Sequence, residues 1–328
     1  MPSLAFLASP AGVEPATFGS GGQRSIHLSY GDLGTPDSIA SAAPVNAPRP
    51  RDADILWARP PPGQYNPSKL EDDAMAETDK RPRFFVPDLA AEAPARAELP
   101  QAEAHHALHV LRLRAGAAVE LFDGRGQCAE GRIADAARRR VTVAVERAWT
   151  EPTPAGPLVH LAFAVPKGSR ADWLVEKATE LGVASLRPTV FERSVAGKEP
   201  LSAAKRERWM NHCAAAAKQA QVNWLPAIED AAPLGDRLAQ AAGALVLVGD
   251  TVEEAVPILE ALARRRKGED ILIVVGPEGG LTDAERAMLR AGGAVAVRLG
   301  RSVLRIETAA VALAAAVIAS AEGAARLI

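Results

Sequence analysis

The chain has 328 residues, 48% of them hydrophobic, and a formal charge of −2 at pH 7, which gives room for two ordinary globular domains. No apolar run reaches the ~18–20 residues of a membrane helix. The stretch at 4–8 is too short for a signal-peptide core and no basic residue precedes it. Two cysteines, Cys128 and Cys213, build no disulfide framework, so a reducing, cytoplasmic compartment is the expectation.

Charge is unevenly distributed. Residues 1–80 carry 6 Lys/Arg against 10 Asp/Glu, and the rest of the chain carries 32 against 30. A slightly basic globular part permits a nucleic-acid partner without requiring one.

Residues 1–79 hold 11 of the 25 prolines and show no sustained apolar period. Such a segment buries too little surface to offset its ordering entropy. It reads either as a disordered extension or as the product of a start codon placed upstream of Met75, and the second reading is the one adopted. Order begins at Arg81-Pro-Arg-Phe-Phe-Val86. Residues 103–112 have helical spacing, with Leu108 and Leu111 on one stripe. Short strand signals follow at 118–122, 127–133 and 141–145, the first two joined by the turn Asp123-Gly-Arg-Gly126. Several short strands closed by such turns predict a small β-barrel over 80–150. Residues 151–157, with three prolines and a glycine, read as a linker.

From 158 the pattern changes to alternating strands and helices. Strands are predicted at 158–165, 184–190, 245–248, 271–275 and 294–299. Helices are predicted at 169–181, 202–219, 252–265, 282–291 and 307–321. The helix at 169–181 shows apolar spacing i, i+3, i+4, i+7 and a capping glycine, Gly182. The one at 282–291 opens with a capping box, Thr282 and Glu285. The alternation predicts an α/β domain with a parallel sheet covered by helices on both faces.

Three motifs stand where strands end and glycine turns begin, the place where open α/β sheets bind ligands. Gly276-Pro-Glu-Gly-Gly280 is neither a Walker loop nor a dinucleotide fingerprint. Its glycines let backbone approach a ligand closely, although an ordinary turn accounts for them as well. In Arg298-Leu-Gly-Arg-Ser-Val-Leu-Arg-Ile-Glu-Thr-Ala309, Arg301 and Arg305 bracket the apolar pair Val303-Leu304. A wall for a ring system with charge beside it is one reading, and a surface ion pair before a capped helix is the other. Pro166-Lys-Gly-Ser-Arg170 places Lys167 and Arg170 at a flexible strand end, suited to RNA phosphates or to a solvated loop. Arg112, Arg114, Arg125, Arg132 and Arg138-Arg-Arg140 decorate the small β domain, as an RNA face or a solubilising one. His105 and His109 are i, i+4 neighbours, but with no further ligand cluster nearby in sequence no metal site is expected. Cys213 beside His212 reads as an inert thiol.

The paired C-terminal motifs closely resemble the bacterial 16S ribosomal RNA uridine-N3 methyltransferases, of the SPOUT superfamily of trefoil-knotted methyltransferases. Arg83-Phe-Phe, the segment from His106 to Arg112, Leu121-Phe-Asp-Gly124, Pro166-Lys-Gly168 and Glu176-Lys-Ala-Thr-Glu-Leu-Gly182 resemble that family too, so the likeness covers 81–328. Ile306 and Lys218 depart from its usual pattern, and residues 1–74 match none of it. The resemblance implies a PUA-like RNA-binding β-barrel preceding a knotted α/β domain at 158–328. It implies S-adenosylmethionine as methyl donor, no metal, a homodimer packed through the knotted domain, and 16S rRNA of the small ribosomal subunit as partner.

The implied donor site comprises Val248 and Gly249; Val275, Gly276, Pro277, Glu278, Gly279 and Gly280; and Leu299, Gly300, Val303 and Leu304. Arg305 and Glu307 are the implied catalytic residues, with Glu307 either orienting Arg305 or accepting a proton. Arg83, Arg112, Arg114, Lys167 and Arg170 are the implied RNA contacts. Two other functions compete: a knotted methyltransferase acting on a different RNA site, and a noncatalytic RNA-binding assembly module. Donor binding separates the second from both enzymes.

Overall fold

The computed structural model describes residues 81–90, 92–137 and 140–325. The expected N-terminal extension, and the arginines at 138 and 139, lie outside the described residues.

The first sheet has five strands: β1 (Arg83–Phe85), β2 (Ala95–Glu98), β3 (Ala118–Phe122), β4 (Gln127–Ala137) and β5 (Arg140–Thr150). Their order is β1-β3-β4-β5-β2, with only the β1–β3 pair parallel. The Asp123–Gly126 turn forms because Asp123 accepts from the backbone N–H of Arg125 and Gln127, at 2.7 and 2.9 Å. Gly126 sits at φ 95°, and a Cβ there would overlap the Trp224 ring, so glycine is required on both counts. Between β2 and β3 runs a short helix, α1 (Gln101–His105), continued by a π-helical turn over His106–Val110. It contributes Ala104 and Ala107 to the core formed by Phe84, Leu121, Ile133, Val141 and Val143.

The second sheet is parallel throughout. Its strands are β6 (Val159–Phe163), β7 (Ser185–Val190), β8 (Ala227–Ile228), β9 (Ala232–Pro233), β10 (Leu245–Gly249), β11 (Val256–Pro257), β12 (Ile271–Val275) and β13 (Val295–Arg298). The order is β11-β13-β10-β12-β6-β7-β8, and β9 pairs with the end of β7. The helices are α2 (Arg170–Glu180), α3 (Ala203–Ala220), α4 (Leu234–Ala239), α5 (Ile258–Ala263), α6 (Asp283–Ala291) and α7 (Ile306–Ala325). Every residue of β12 is buried, as a central parallel strand covered on both faces must be. α7 lies over β12 and β6, and α2 packs against α3 and α7. The predicted capping box of α6 is present, with Thr282 and Glu285 satisfying each other's backbone N–H.

One predicted helix changes. Residues 252–265 were expected to be helical throughout, but α5 starts only at Ile258. Proline has no N–H and pushes the preceding residue into extended backbone. Val256 and Pro257 therefore form β11, paired to Val297 and Arg298, and Pro257 is the N-cap of α5. β8, β9 and α4 were absent from the sequence reading.

The two sheets are joined by more than the chain between them. Phe122 and Cys128 of the first share a small core with Ala217 of α3, and Phe85, Trp149, Val222 and Leu225 pack on it. Arg83 bonds the carbonyl of Ala217 at 3.3 Å and the side chain of Asn223, and pairs with Glu120 at 2.9 Å. Lys218 of α3 reaches Glu103 of α1 at 2.7 Å, with both side chains largely buried. Removing one partner of a buried pair leaves an uncompensated charge. Lys218→Ala should therefore lower the unfolding free energy by about 3 kcal/mol, and adding Glu103→Ala should restore part of it. Urea denaturation of the single and double variants checks this; a single variant as stable as the parent would remove the pair's structural role.

Candidate functional site

The loops after β6, β10, β12 and β13 all leave the C-terminal edge of the parallel sheet. After β6 the chain continues to β7 on one side, whereas after β12 it passes through α6 to β13 on the other. The switch point between β6 and β12 is where such sheets open a crevice.

Next to it, a cleft of about 560 Å³ lies between the β10 and β13 loops. That volume is within the range of small-molecule sites. Gly249 to Glu253 form one wall and Leu299 to Leu304 the other, with Ala309 and Leu313 of α7 at the back. Val303 is 83% exposed and Leu304 38%, so apolar surface faces the opening uncovered. A Cβ on Gly249 would sit 3.0 Å from Leu313 Cδ1, so a side chain there would crowd the back wall.

The β10 loop is fixed by one ion pair. Arg286 of α6 donates to both carboxylate oxygens of Asp250, at 2.8 and 3.2 Å. Those hydrogen bonds hold the guanidinium above its ordinary pKa, and the Asp250 side chain is 9% exposed.

At the switch point three motifs meet. Arg170, at the start of α2, approaches Glu278 at 3.5 Å and Glu307 at 3.8 Å. Glu307 is in the first turn of α7, where a carboxylate is favoured by the helix N-terminus. Its Oε2 is buried and accepts no hydrogen bond among the described residues. Arg193 donates to the carbonyl of Gly279 at 2.8 Å and steadies the glycine turn. Arg305 gives its carbonyl to the first bond of α7, while its exposed guanidinium has no partner among the described residues.

The predicted residues sort accordingly. Gly249, Leu299, Gly300, Val303 and Leu304 line the cleft. Val248 is buried within β10, and Val275 beside it on β12, paired with Gly249. The Gly276–Gly280 turn does not line that cleft; it is one strand over, with Glu278 in the arginine cluster. Glu307 approaches Arg170, and among the described residues no contact joins it to Arg305.

Two expected RNA contacts are engaged inside the fold. Arg83 is a strut against α3, its side chain 7% exposed, and Arg170 holds two carboxylates. Lys167, Arg112 and Arg114 are exposed. Among the further lining residues, Val252 and Glu253 fall at the start of the helix expected at 252–265, Thr251 just precedes it, and Leu313 lies on α7, where the apolar pattern gives no sign that it faces a cleft. Burial pushes the Cys128 thiol up to about 12 and that of Cys213 to about 11, so neither is a nucleophile at neutral pH. Among the described residues no group of three His, Cys, Asp or Glu could hold a metal ion.

The fold and cleft define a class, a PUA-like sheet coupled to a parallel α/β sheet with a ligand cleft at its C-terminal edge. Residues 154–318 match the RNA methyltransferase domain and residues 99–146 the RNA methyltransferase PUA domain. The chain is 35% identical over 233 residues to ribosomal RNA small subunit methyltransferase E of Mycobacterium bovis, covering 69% of this chain and 87% of the relative. Its counterpart in Bacillus subtilis is 31% identical over 214 residues, covering 63% and 83%. Among solved structures, ribosomal RNA small subunit methyltransferase E from Neisseria gonorrhoeae bound to S-adenosyl methionine superposes with a TM-score of 0.64 at 28% identity, covering 72% of this chain and 96% of that one. A probable rRNA-methyltransferase from Porphyromonas gingivalis gives 0.65 at 29% identity, over 74% and 99%. The chain belongs to the ribosomal RNA small subunit methyltransferase E family.

Arg286→Ala would leave the Asp250 carboxylate largely buried without its cation. We expect a loss of about 2 kcal/mol in stability and weaker donor binding by calorimetry, because the β10 loop loses its anchor. Unchanged donor affinity would show that the loop is held by other means.

Proposed function

We propose that this chain transfers a methyl group from S-adenosylmethionine to N3 of a uracil in 16S ribosomal RNA of the small subunit. The observation that carries the reading is the adjacency, at one sheet edge, of the apolar cleft and the Arg170–Glu278–Glu307 cluster in a member of this family.

The cleft fits the donor: Leu299, Val303 and Leu304 offer an apolar wall to adenine, and Thr251 and Glu253 offer polar groups to ribose hydroxyls and an ammonium. When bound, the donor supplies an electrophilic methyl group on a sulfonium sulfur. The chain must expose the base, align N3 with that methyl group and remove the N3 proton. Arg305, without a side-chain partner among the described residues, supplies fixed positive charge for the developing uracil anion. Glu307, with a buried oxygen that accepts no hydrogen bond, takes the N3 proton, and Arg170 holds that carboxylate in place. Exposed Arg112, Arg114 and Lys167 contact RNA phosphates. The reading includes a trefoil knot in the α/β domain, a cytoplasmic location and a homodimer packed through that domain.

Tritiated methyl transfer to small subunits from a strain lacking the modification tests the activity. Label at a single N3-methyluridine is expected, and no label on any rRNA would overturn the reading. Arg305→Ala should cut turnover on the order of 100-fold with little change in donor affinity. Glu307→Gln should cut it comparably at neutral pH and less at alkaline pH, where N3 loses its proton to solvent. An equal loss at every pH would reduce Glu307 to positioning. Sedimentation should give twice the chain mass; a monomer would remove the dimer.

A further inference from the structure

The loop that leaves β6 faces the first turns of α3 across a second cleft, of about 580 Å³. Lys167 is on the loop, and Lys205 and Arg208 are on the helix. The first turn of α3 is fixed by Ser202, whose hydroxyl accepts from the Lys205 N–H at 3.3 Å. The Lys205 ammonium stands 5.0 Å from the centroid of the Trp209 ring, itself fully buried, in a cation–π arrangement. Among the described residues neither Lys167 nor Lys205 makes a side-chain hydrogen bond or an ion pair. The cleft contains one acid, Asp172, and Arg208 already pairs with it. The groove thus carries three cations, Lys167, Lys205 and Arg208, against one carboxylate, Asp172, and its net charge among the described residues is positive. Burial lowers the pKa of Lys205, the Arg208 charge adds to that effect, and Asp172 offsets only part of it.

The groove adjoins the Arg170 cluster along the chain. Its loop runs from Pro166 to Ser169, and the next residue, Arg170, holds Glu278 and Glu307. An anion seated in the groove lies one loop away from the proposed target base. A chain of phosphodiesters running past that base supplies such anions, whereas an isolated phosphate has no reason to sit beside it.

We infer that this groove seats the RNA backbone flanking the target nucleotide, with Lys167 and Lys205 as phosphate contacts and Arg208 at the rim. The inference rests on the proposed RNA substrate, but it concerns binding and is separable from methyl transfer.

The test is the salt dependence of binding by the full chain to a 16S rRNA transcript, for Lys167→Ala, Lys205→Ala and the double variant. Lys267→Ala, which removes the same charge from an exposed loop away from the groove, is the comparator. Each groove variant should weaken binding on the order of tenfold at low salt and reduce the slope of log K against log salt by about 0.7–0.9, additively in the double variant. Lys205→Arg should keep most of the slope, and thermal melts identify any variant that fails to fold. Slopes no different from that of Lys267→Ala would overturn the groove. So would a parent that binds no RNA, or variants that lose affinity only for poly-glutamate, which would point to an acidic protein surface. Reduced slopes in a chain that transfers no methyl group would leave the groove standing and refute the proposed activity.

Discussion

The arrangement of the site depends on the parallel register of three strands, β10, β12 and β6. β12 is apolar and buried at all of its positions, Ile271 to Val275, so it is stable only with a strand on each side and helices above and below. Gly249 pairs with Val275, and Val275 with Phe163, so the three strands end in step. Their loops leave from one edge because the strands are parallel. The cleft beside β10, the Arg170 cluster and the basic groove are thus three parts of a single edge. A slip of one residue in β12 would turn its side chains to the opposite faces and misplace Glu278 relative to Arg170.

Electrostatics at that edge follow a different logic from stability. Arg170 holds two carboxylates at distances longer than a close hydrogen bond, 3.5 and 3.8 Å. A cation placed between two acids steadies both without saturating either. That suits the proton-accepting role proposed for Glu307. The Asp250–Arg286 pair is the contrast: two hydrogen bonds, at 2.8 and 3.2 Å, one to each carboxylate oxygen, anchor the start of the β10 loop. The same residue types build a rigid anchor in one place and an under-coordinated carboxylate in the other.

Much of this was legible in the sequence because strand and helix periods differ and glycine turns mark strand ends. The cleft-lining residues Gly249, Leu299, Gly300, Val303 and Leu304 followed from that pattern together with the resemblance. What was illegible has physical causes. β8 and β9 are two residues each, too short for any period to appear, and they exist because β7 offers them backbone partners. The helix expected at 252–265 was overridden by Pro257, whose effect was visible in principle but weighed too lightly against the apolar spacing. That Arg83 and Arg170 have partners within the chain is invisible in sequence, because a basic residue in a motif gives no sign of what it will pair with. Only the fold brings Ala217, Asn223, Glu278 and Glu307 up to them, across separations that no local pattern spans.

Arg83 also explains how the PUA-like sheet serves a reaction performed on the other sheet. Its guanidinium lies over Phe122, 4.8 Å from the ring centroid, pairs with Glu120, and bonds the end of α3. Lys218 adds a second tie from the same helix to Glu103. These contacts make α3 a shared element: its C-terminal end is fixed to the first sheet, and its N-terminal turn presents Lys205 and Arg208 to the groove beside the reactive cluster. An 18-residue helix is a stiff spacer of about 27 Å. The proposed RNA contacts of the small domain and the proposed phosphate groove of the large one are therefore held at a set separation. Lys218, an exception to the family pattern, becomes intelligible as part of that brace. A substrate that spans both ends of α3 would be measured for length before its base is tested for identity.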